Sequence, residues 1–345
     1  MTRLGTRDSV ARAVRPAACG ALLLALAAGS AVTSTAAAQT IADRVHAAPD
    51  GDVQITFASR PGVCGDGRDM VGLDHTFFMG TSVETNGNWS TPDRCQPGPV
   101  RVVLAVQHGD VTSVRTHVGG TATGGMETEI DHHVTTLGVV PAADAAHYFL
   151  SLASTLDNSV SRDALLPAVL ADSVVITPDL LHIARDATRP TDTRRRAVMW
   201  TGMVGDESTV PPLEGIVEDA NTELSVRDAA LVALSRLPGG PPWMLELARN
   251  SREPVELRKK ALFWAGQGDV PIASLSAAYD QLSESELKRQ AIFVLSQRDE
   301  RAATDKLFQI VRTDPDFRMR KQALFWLAQR DDPRVTKMIA DLVMR

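Results

Sequence analysis

Two hydrophobic patterns divide the chain. Between residues 52 and 118 apolar and polar positions alternate, and Val53, Ile55 and Phe57 fall on one side of a strand of period two. Residues 100–106 (Val-Arg-Val-Val-Leu-Ala-Val) predict a second, more fully buried strand. His108, Gly109 and Asp110 predict a turn, with residues 111–118 returning as the hairpin partner. Gly, Pro, Asn and Asp crowd residues 61–98, which predicts a loop-rich stretch. Residues 40–138 therefore read as a small β-rich domain.

At Pro141 the period changes to that of helices. Residues 141–150 begin a helix with proline in its first turn, and no strand pattern follows before residue 345. Helical segments of ten to fourteen residues alternate with short breaks carrying Pro, Gly, Asp or Asn. These segments repeat. Ala197, Ala230, Ala261, Ala291 and Ala323 each follow a cation by three positions (Arg194, Arg227, Arg258, Lys288 and Arg320), and their spacings are 33, 31, 30 and 32 residues. Between them the spacing predicts partner helices at 178–186, 211–220, 241–249, 271–282 and 302–311, and one more at 333–343. A single helix of this kind cannot bury its apolar face, whereas stacked pairs can.

The cation, two variable positions, Ala-Leu-x-x-Leu and a closing Gly-Asp or Arg-Asp resemble the short HEAT repeats of the phycobilisome-lyase type. Gln267-Gly268-Asp269, Gln297-Arg298-Asp299 and Gln329-Arg330-Asp331 show the closing feature. The resemblance covers residues 160–345. It implies a mostly α fold, a right-handed α-solenoid of helix pairs over 141–345 whose second helices line a concave face. The family contains scaffolds, regulators and some bilin lyases. Residues 40–140 resemble the leading region of exported bacterial HEAT-repeat proteins.

Residues four apart share a helical face. Two before, two after and six after each register alanine, the last three repeats place Lys259, Phe263 and Gln267; Arg289, Phe293 and Gln297; and Lys321, Phe325 and Gln329. The earlier repeats place Arg195, Met199 and Met203, then Asp228, Val232 and Arg236. Cations, rings and amides at regular intervals suit an extended peptide, the rings holding side chains and the amides pairing with its backbone. The competing reading is that the phenylalanines wedge between neighbouring helices as core, with the cations at the rim. Trp200, Trp264 and Trp326 share one register and are assigned to helix packing. The five repeat-initial cations oppose the dipole of the helix they begin. Glu223, Glu253, Glu284, Asp314 and Asp316, in the turns just before, are the expected partners of a structural charge ladder.

The ends and the charge bear on location. Residues 1–38 read as a signal peptide: Arg3, Arg7, Arg12 and Arg15, an apolar run over 21–28, then Ala36-Ala37-Ala38. No later segment is apolar enough over about 20 residues to span a bilayer. Without the leader 32 basic residues face 41 acidic ones, a net charge of −9 that repels nucleic acid and anionic lipid. Two cysteines then remain, and in an oxidising compartment Cys64 and Cys95 are expected to pair.

The chemistry on offer is sparse. Asp131, His132 and His133 are the densest group of metal-ligating side chains, without the spacing of a known zinc motif. No nucleophile elbow, P-loop or dinucleotide fingerprint is present, and no cofactor is called for. The expected function is that of an exported, periplasmic or extracellular scaffold or regulator without catalysis, holding a protein or peptide partner of the cell envelope. The alternatives are a bilin-lyase-like enzyme, or metal handling through the N-terminal histidines.

Overall fold

The alternating residues Val53, Ile55 and Phe57 form a strand whose three side chains are fully buried. The computed structural model describes residues 39–68, 70–74, 76–79, 82–85, 95–119, 134–268 and 270–343. A short helix, α1 (Ile41–His46), precedes that strand, β1 (Gly51–Phe57). Thr40 and Asp43 close the start of α1 reciprocally: the Thr40 hydroxyl accepts from the Asp43 N–H, and the Asp43 carboxylate accepts from the Thr40 N–H.

The stretch read as loop folds into a second small sheet: β2 (Val63–Gly65), β3 (Met70–Leu73), β4 (Thr76–Met79) and β5 (Ser82–Thr85), antiparallel and in chain order. Strands of three or four residues are too short to show alternation, so turn residues dominate their composition. Cys64 of β2 is bonded to Cys95, with Cα atoms 5.1 Å apart.

β6 (Val100–Gln107), β7 (Asp110–Val118) and β8 (Thr135–Val139) complete the main sheet, in the order β7-β6-β1-β8 with β8 parallel to β1. β6 is buried on one side only, through Val100, Val102, Leu104 and Val106, while Arg101, Val103 and Ala105 are half-exposed. The β6–β7 turn needs two left-handed residues, supplied by His108 (φ 54°) and Gly109 (φ 82°).

The helices follow the repeat. After α2 (Ala142–Thr155), α3 (Ser159–Asp163) and α4 (Leu165–Leu170) come five pairs. These are α5 (Thr177–Arg185) with α6 (Thr191–Val204), α7 (Val210–Glu218) with α8 (Leu224–Leu234), and α9 (Gly240–Arg249) with α10 (Val255–Gln267). Then come α11 (Ile272–Gln281) with α12 (Ser285–Ser296), α13 (Arg301–Thr313) with α14 (Phe317–Leu327), and the last helix α15 (Pro333–Val343). Pro178, Pro211 and Pro241 sit inside the first turn as expected, whereas Pro141 and Pro271 stand one place earlier, at the cap. The chain is thus mostly helical, with a small β region carrying one disulfide.

Each second helix packs on the next, α6 on α8, α8 on α10, α10 on α12 and α12 on α14. The five register alanines are buried. Glycine sets the closest approaches: a Cβ on Gly202 would lie 2.6 Å from the Ala233 Cα, and one on Gly266 would lie 2.1 Å from Val294 Cγ1. The closing Arg-Asp motif also has a structural use. Arg298 donates to the carbonyls of Gly266 (3.2 Å) and Gly268 (3.3 Å), and Arg330 to those of Ser296 (2.8 Å) and Arg298 (2.6 Å). Each arginine therefore satisfies the free carbonyls at the end of the preceding second helix.

The sheet and the helices share one core. Phe57 meets Phe149 of α2 at 6.1 Å between ring centroids, the Arg60 N–H donates to the Leu170 carbonyl (2.9 Å) and the Asp172 N–H to the Ala58 carbonyl (3.1 Å). Gln39–Arg345 form one compact unit, so the shift in pattern at Pro141 is a change of secondary structure inside a continuous core. Among the described residues no helix is long and apolar enough to cross a membrane.

Candidate binding face

The repeat-initial cations are spent on structure. Arg194, Arg227 and Arg258 are buried, and each donates through Nε to a carbonyl in the last turn of the first helix of its own pair: Ala184 (3.0 Å), Val217 (2.6 Å) and Ala248 (2.9 Å). At the other end of the guanidinium Arg194 pairs with Glu223, Arg227 with Glu253 (3.6 Å) and Arg258 with Glu284 (2.6 Å). The sequence pattern suggested the acid of the turn just before each cation; the structure pairs each cation with the acid one repeat further on. The reason is the Nε bond, which turns the other nitrogens away from their own turn and toward the next pair. Each arginine so ties three elements, and its buried charge has both an acceptor and a counter-ion.

The fourth position changes the chemistry and keeps the connection. Lys288 pairs with Asp314 (3.3 Å) and lies 5.0 Å from the Tyr279 ring centroid, while the Tyr279 hydroxyl donates to Asp314 (2.7 Å). A lysine has no fork, so the tyrosine supplies the second donor. Arg320 departs from the pattern, donating to the Asp314 carbonyl (2.7 Å), and Asp316 caps α14 by accepting from the Arg318 N–H (2.8 Å). The Arg258 hydrogen bond, followed by the backbone N–H at the cap, holds the Glu284 carboxyl down at about 2. Burial alone would raise Asp314, but hydrogen bonds from Tyr279, the Asp316 N–H and Lys288 outweigh it and hold that carboxyl below its usual range.

The row of sequence-predicted residues lies on the opposite side of the same helices, and it is neither plain core nor open groove. Phe263 and Phe293 are half-buried and stacked, with centroids 6.3 Å apart and planes 14° apart. Phe293 continues to Trp326 at 5.5 Å, and Phe325, 57% exposed, meets the same indole edge-on at 5.2 Å. The stripe thus opens toward its C-terminal end. Lys259 is held by Glu256 (2.9 Å) and Glu286 (3.6 Å), whereas Arg289 and Lys321 are exposed and make no ion pair among the described residues. Gln267, Gln297 and Gln329 are all exposed at the edge of the stripe. Trp200 is buried, as a packing residue should be, while Trp264 and Trp326 are half-buried against the core.

A hollow opens at each end of this stripe. One, of about 560 Å³, is lined by Arg195, Met199 and Met203 of α6 and by Asp228, Val232 and Arg236 of the next repeat, the same face positions in the first two pairs. The other, of about 830 Å³, is lined by Gln297, Trp326, Gln329 and Arg330. Arg162 and Arg196 also line the first hollow. The sequence pattern did not single them out, because Arg162 comes from α3, outside the repeat, and Arg196 stands one place off the row. The Arg194-Arg195-Arg196 run was the available signal, since only its first member is needed for the ladder.

Among the described residues no three metal-ligating side chains come together; Asp131, His132 and His133 lie outside those residues. His46 and His117 are each engaged with a backbone carbonyl, of Gly109 (3.2 Å) and Arg68 (2.6 Å) respectively.

No family model matches the chain, and no curated protein matches it. Among solved structures it matches human deoxyhypusine hydroxylase in complex with glycerol, at 16% identity over 59% of this chain and 78% of that one, with a TM-score of 0.24. That structure is of an enzyme, which stands against the expectation that the chain is not one. A likeness of this size carries over neither fold nor activity.

Proposed function

We propose that this chain holds an extended, acidic stretch of polypeptide along the face made by its second helices. The observation that carries the reading is the aromatic stripe of Phe263, Phe293, Trp326 and Phe325, stepped at 5.2–6.3 Å, half-buried over its first three rings and exposed at Phe325. Large apolar rings on a surface with polar edges are the usual anchors of a protein contact. Beside them Gln297 and Gln329 offer amides to a peptide backbone, and Arg289 and Lys321 stand without a counter-ion among the described residues. With the ladder cations spent on packing, these free cations favour an acidic partner.

On this reading the five pairs are a right-handed α-solenoid of the HEAT type, supported by the period of 30–33 residues and by the packing of each second helix on the next. The chain works as a scaffold or regulator in the periplasm or outside the cell. The signal-like first 38 residues and the Cys64–Cys95 bond support that location.

Selection from a displayed random-peptide library tests the binding reading. Wild type is expected to enrich peptides combining Asp or Glu with apolar residues, and a Phe325→Ser, Lys321→Glu variant to lose them while keeping its melting temperature. Failure to enrich any peptide, or equal enrichment by the variant, would sink the reading.

A further inference from the structure

The 560 Å³ hollow between α3, α6 and α8 holds the densest set of cations on the binding face. Arg162, Arg195, Arg196 and Arg236 all line it, with Asp192 and Asp228. The acids are partly occupied, the Asp228 Oδ1 atom being buried without a hydrogen-bond partner among the described residues. Arg162 is held by Asp163 through two hydrogen bonds (2.9 and 3.1 Å), Arg195 by Asp192 (3.0 Å), and Asp228 accepts from Lys260. The side chains of Arg196 and Arg236 are left with no hydrogen bond and no ion pair among the described residues. Arg236 is exposed, but Arg196 is half-buried, and its burial and the nearby Arg162 charge disfavour its own more than the charges of Asp163 and Asp192 favour it. A guanidinium has five donors in a planar fork, and those of Arg196 meet no acceptor of the protein among the described residues, which leaves them for a ligand. The floor beneath is apolar: Met199, Met203, Val232 and the Ala229 and Ala233 methyls. Methionine is unbranched and polarizable, so this floor accommodates apolar side chains of differing shape.

We propose that this hollow is a carboxylate subsite: Arg196, assisted by Arg236, grips a Glu or Asp side chain of the bound polypeptide, and Met199, Met203 and Val232 receive the apolar residue beside it. Fork-to-carboxylate pairing gives the geometry that a lysine there could not. The inference rests on the reading of this face as a polypeptide-binding surface, and it names what the N-terminal end of that surface selects. It also gives the unpaired arginine a use: the ligand's carboxylate supplies the acceptor that the described residues do not.

The experiment uses the full chain and two labelled peptides of alternating Leu and Glu, or Leu and Gln, otherwise identical, with binding followed by fluorescence anisotropy. Wild type is expected to bind the Glu peptide at least tenfold more tightly than the Gln peptide. Arg196→Gln is expected to erase that difference, leave the Gln peptide's Kd within twofold, and melt at or above the wild-type temperature. The melt separates the idea from a structural role, because a structural arginine would lower the melting temperature when removed. Equal binding of the two peptides by wild type overturns the subsite and leaves the polypeptide-binding reading standing. Binding of neither peptide overturns both. Displacement of the Glu peptide by millimolar inorganic phosphate as effectively as by free Leu-Glu dipeptide would reduce the hollow to a general anion site and overturn the proposal.

Discussion

Arg258, at the start of one second helix, reaches across to Glu284, which stands just before the first residue of the next, 26 residues downstream. Arg194 reaches Glu223 and Arg227 reaches Glu253 in the same way, so each of the first three pairs of helices is fastened to its successor by a buried guanidinium. Replacing Arg258 with Met removes both that ion pair and the hydrogen bond to the Ala248 carbonyl. It should lower stability by about 2–4 kcal/mol. Chemical denaturation at neutral pH measures this, and a change within experimental scatter would mean the connection does not bear on folding.

Acid should dissolve the connection. The folded-state pKa of Glu284, about 2, lies below its ordinary 4.5, so its stabilising contribution is complete above pH 4.5 and is lost as the pH falls through about 2. Glu284→Gln should be less stable than wild type at pH 7 by about 1–2 kcal/mol, and the two curves should converge toward pH 2. Parallel curves across that window would show that Glu284 is not held by Arg258 in solution.

Gly202 faces the backbone of Ala233 so closely that a methyl group cannot be fitted without separating α6 from α8. Gly202→Ala should therefore destabilise by about 1–3 kcal/mol, although alanine favours a helix by about 1 kcal/mol. A thermal melt that rises, as propensity alone would have it, contradicts this packing.

Much of this was legible from the residues themselves. Val53, Ile55 and Phe57 announce β1 because one buried face forces alternation, and the register alanines announce the second helices because close-packed helices tolerate little else at that position. Other features carried too little local signal. β8 has hardly any buried residues, so Thr135–Val139 shows no apolar alternation, and its parallel partner β1 is some eighty residues away. The strands β2 to β5 are too short for a period. The ladder's residue types were readable, but its pairing was not. Choosing between Glu253 and Glu223 for Arg227 requires knowing that Nε is already committed to the Val217 carbonyl. Arg162 and Arg196 meet only through the placement of α3 against α6, which no pattern inside the repeat encodes.

The disulfide closes a loop of 31 residues between Cys64 and Cys95. Cys95→Ser should cost roughly 3–4 kcal/mol in the chain-entropy account. A reductant should then lower the melting temperature of wild type and leave that of the variant unchanged; an equal response in both would assign the reductant's effect elsewhere.

The aromatic stripe divides by exposure. Phe325→Ser should change stability by less than about 1 kcal/mol, because the ring is mostly in solvent, whereas Phe293→Ser should cost about 2 kcal/mol through the lost stack with Phe263 and Trp326. Paired melts of the two variants check this, and equal losses would place Phe325 in the core.

The central claim is that a polypeptide lies along the second helices. A photo-crosslinking residue placed in the full chain, in cells of the native host, at Gln297 or Gln329 on that face, or at Gln281 on a first helix, tests it most directly. The account predicts polypeptide adducts from Gln297 and Gln329, reduced by Phe325→Ser, and none above background from Gln281. Adducts from Gln281 alone, or equal adducts from all three positions, would contradict it.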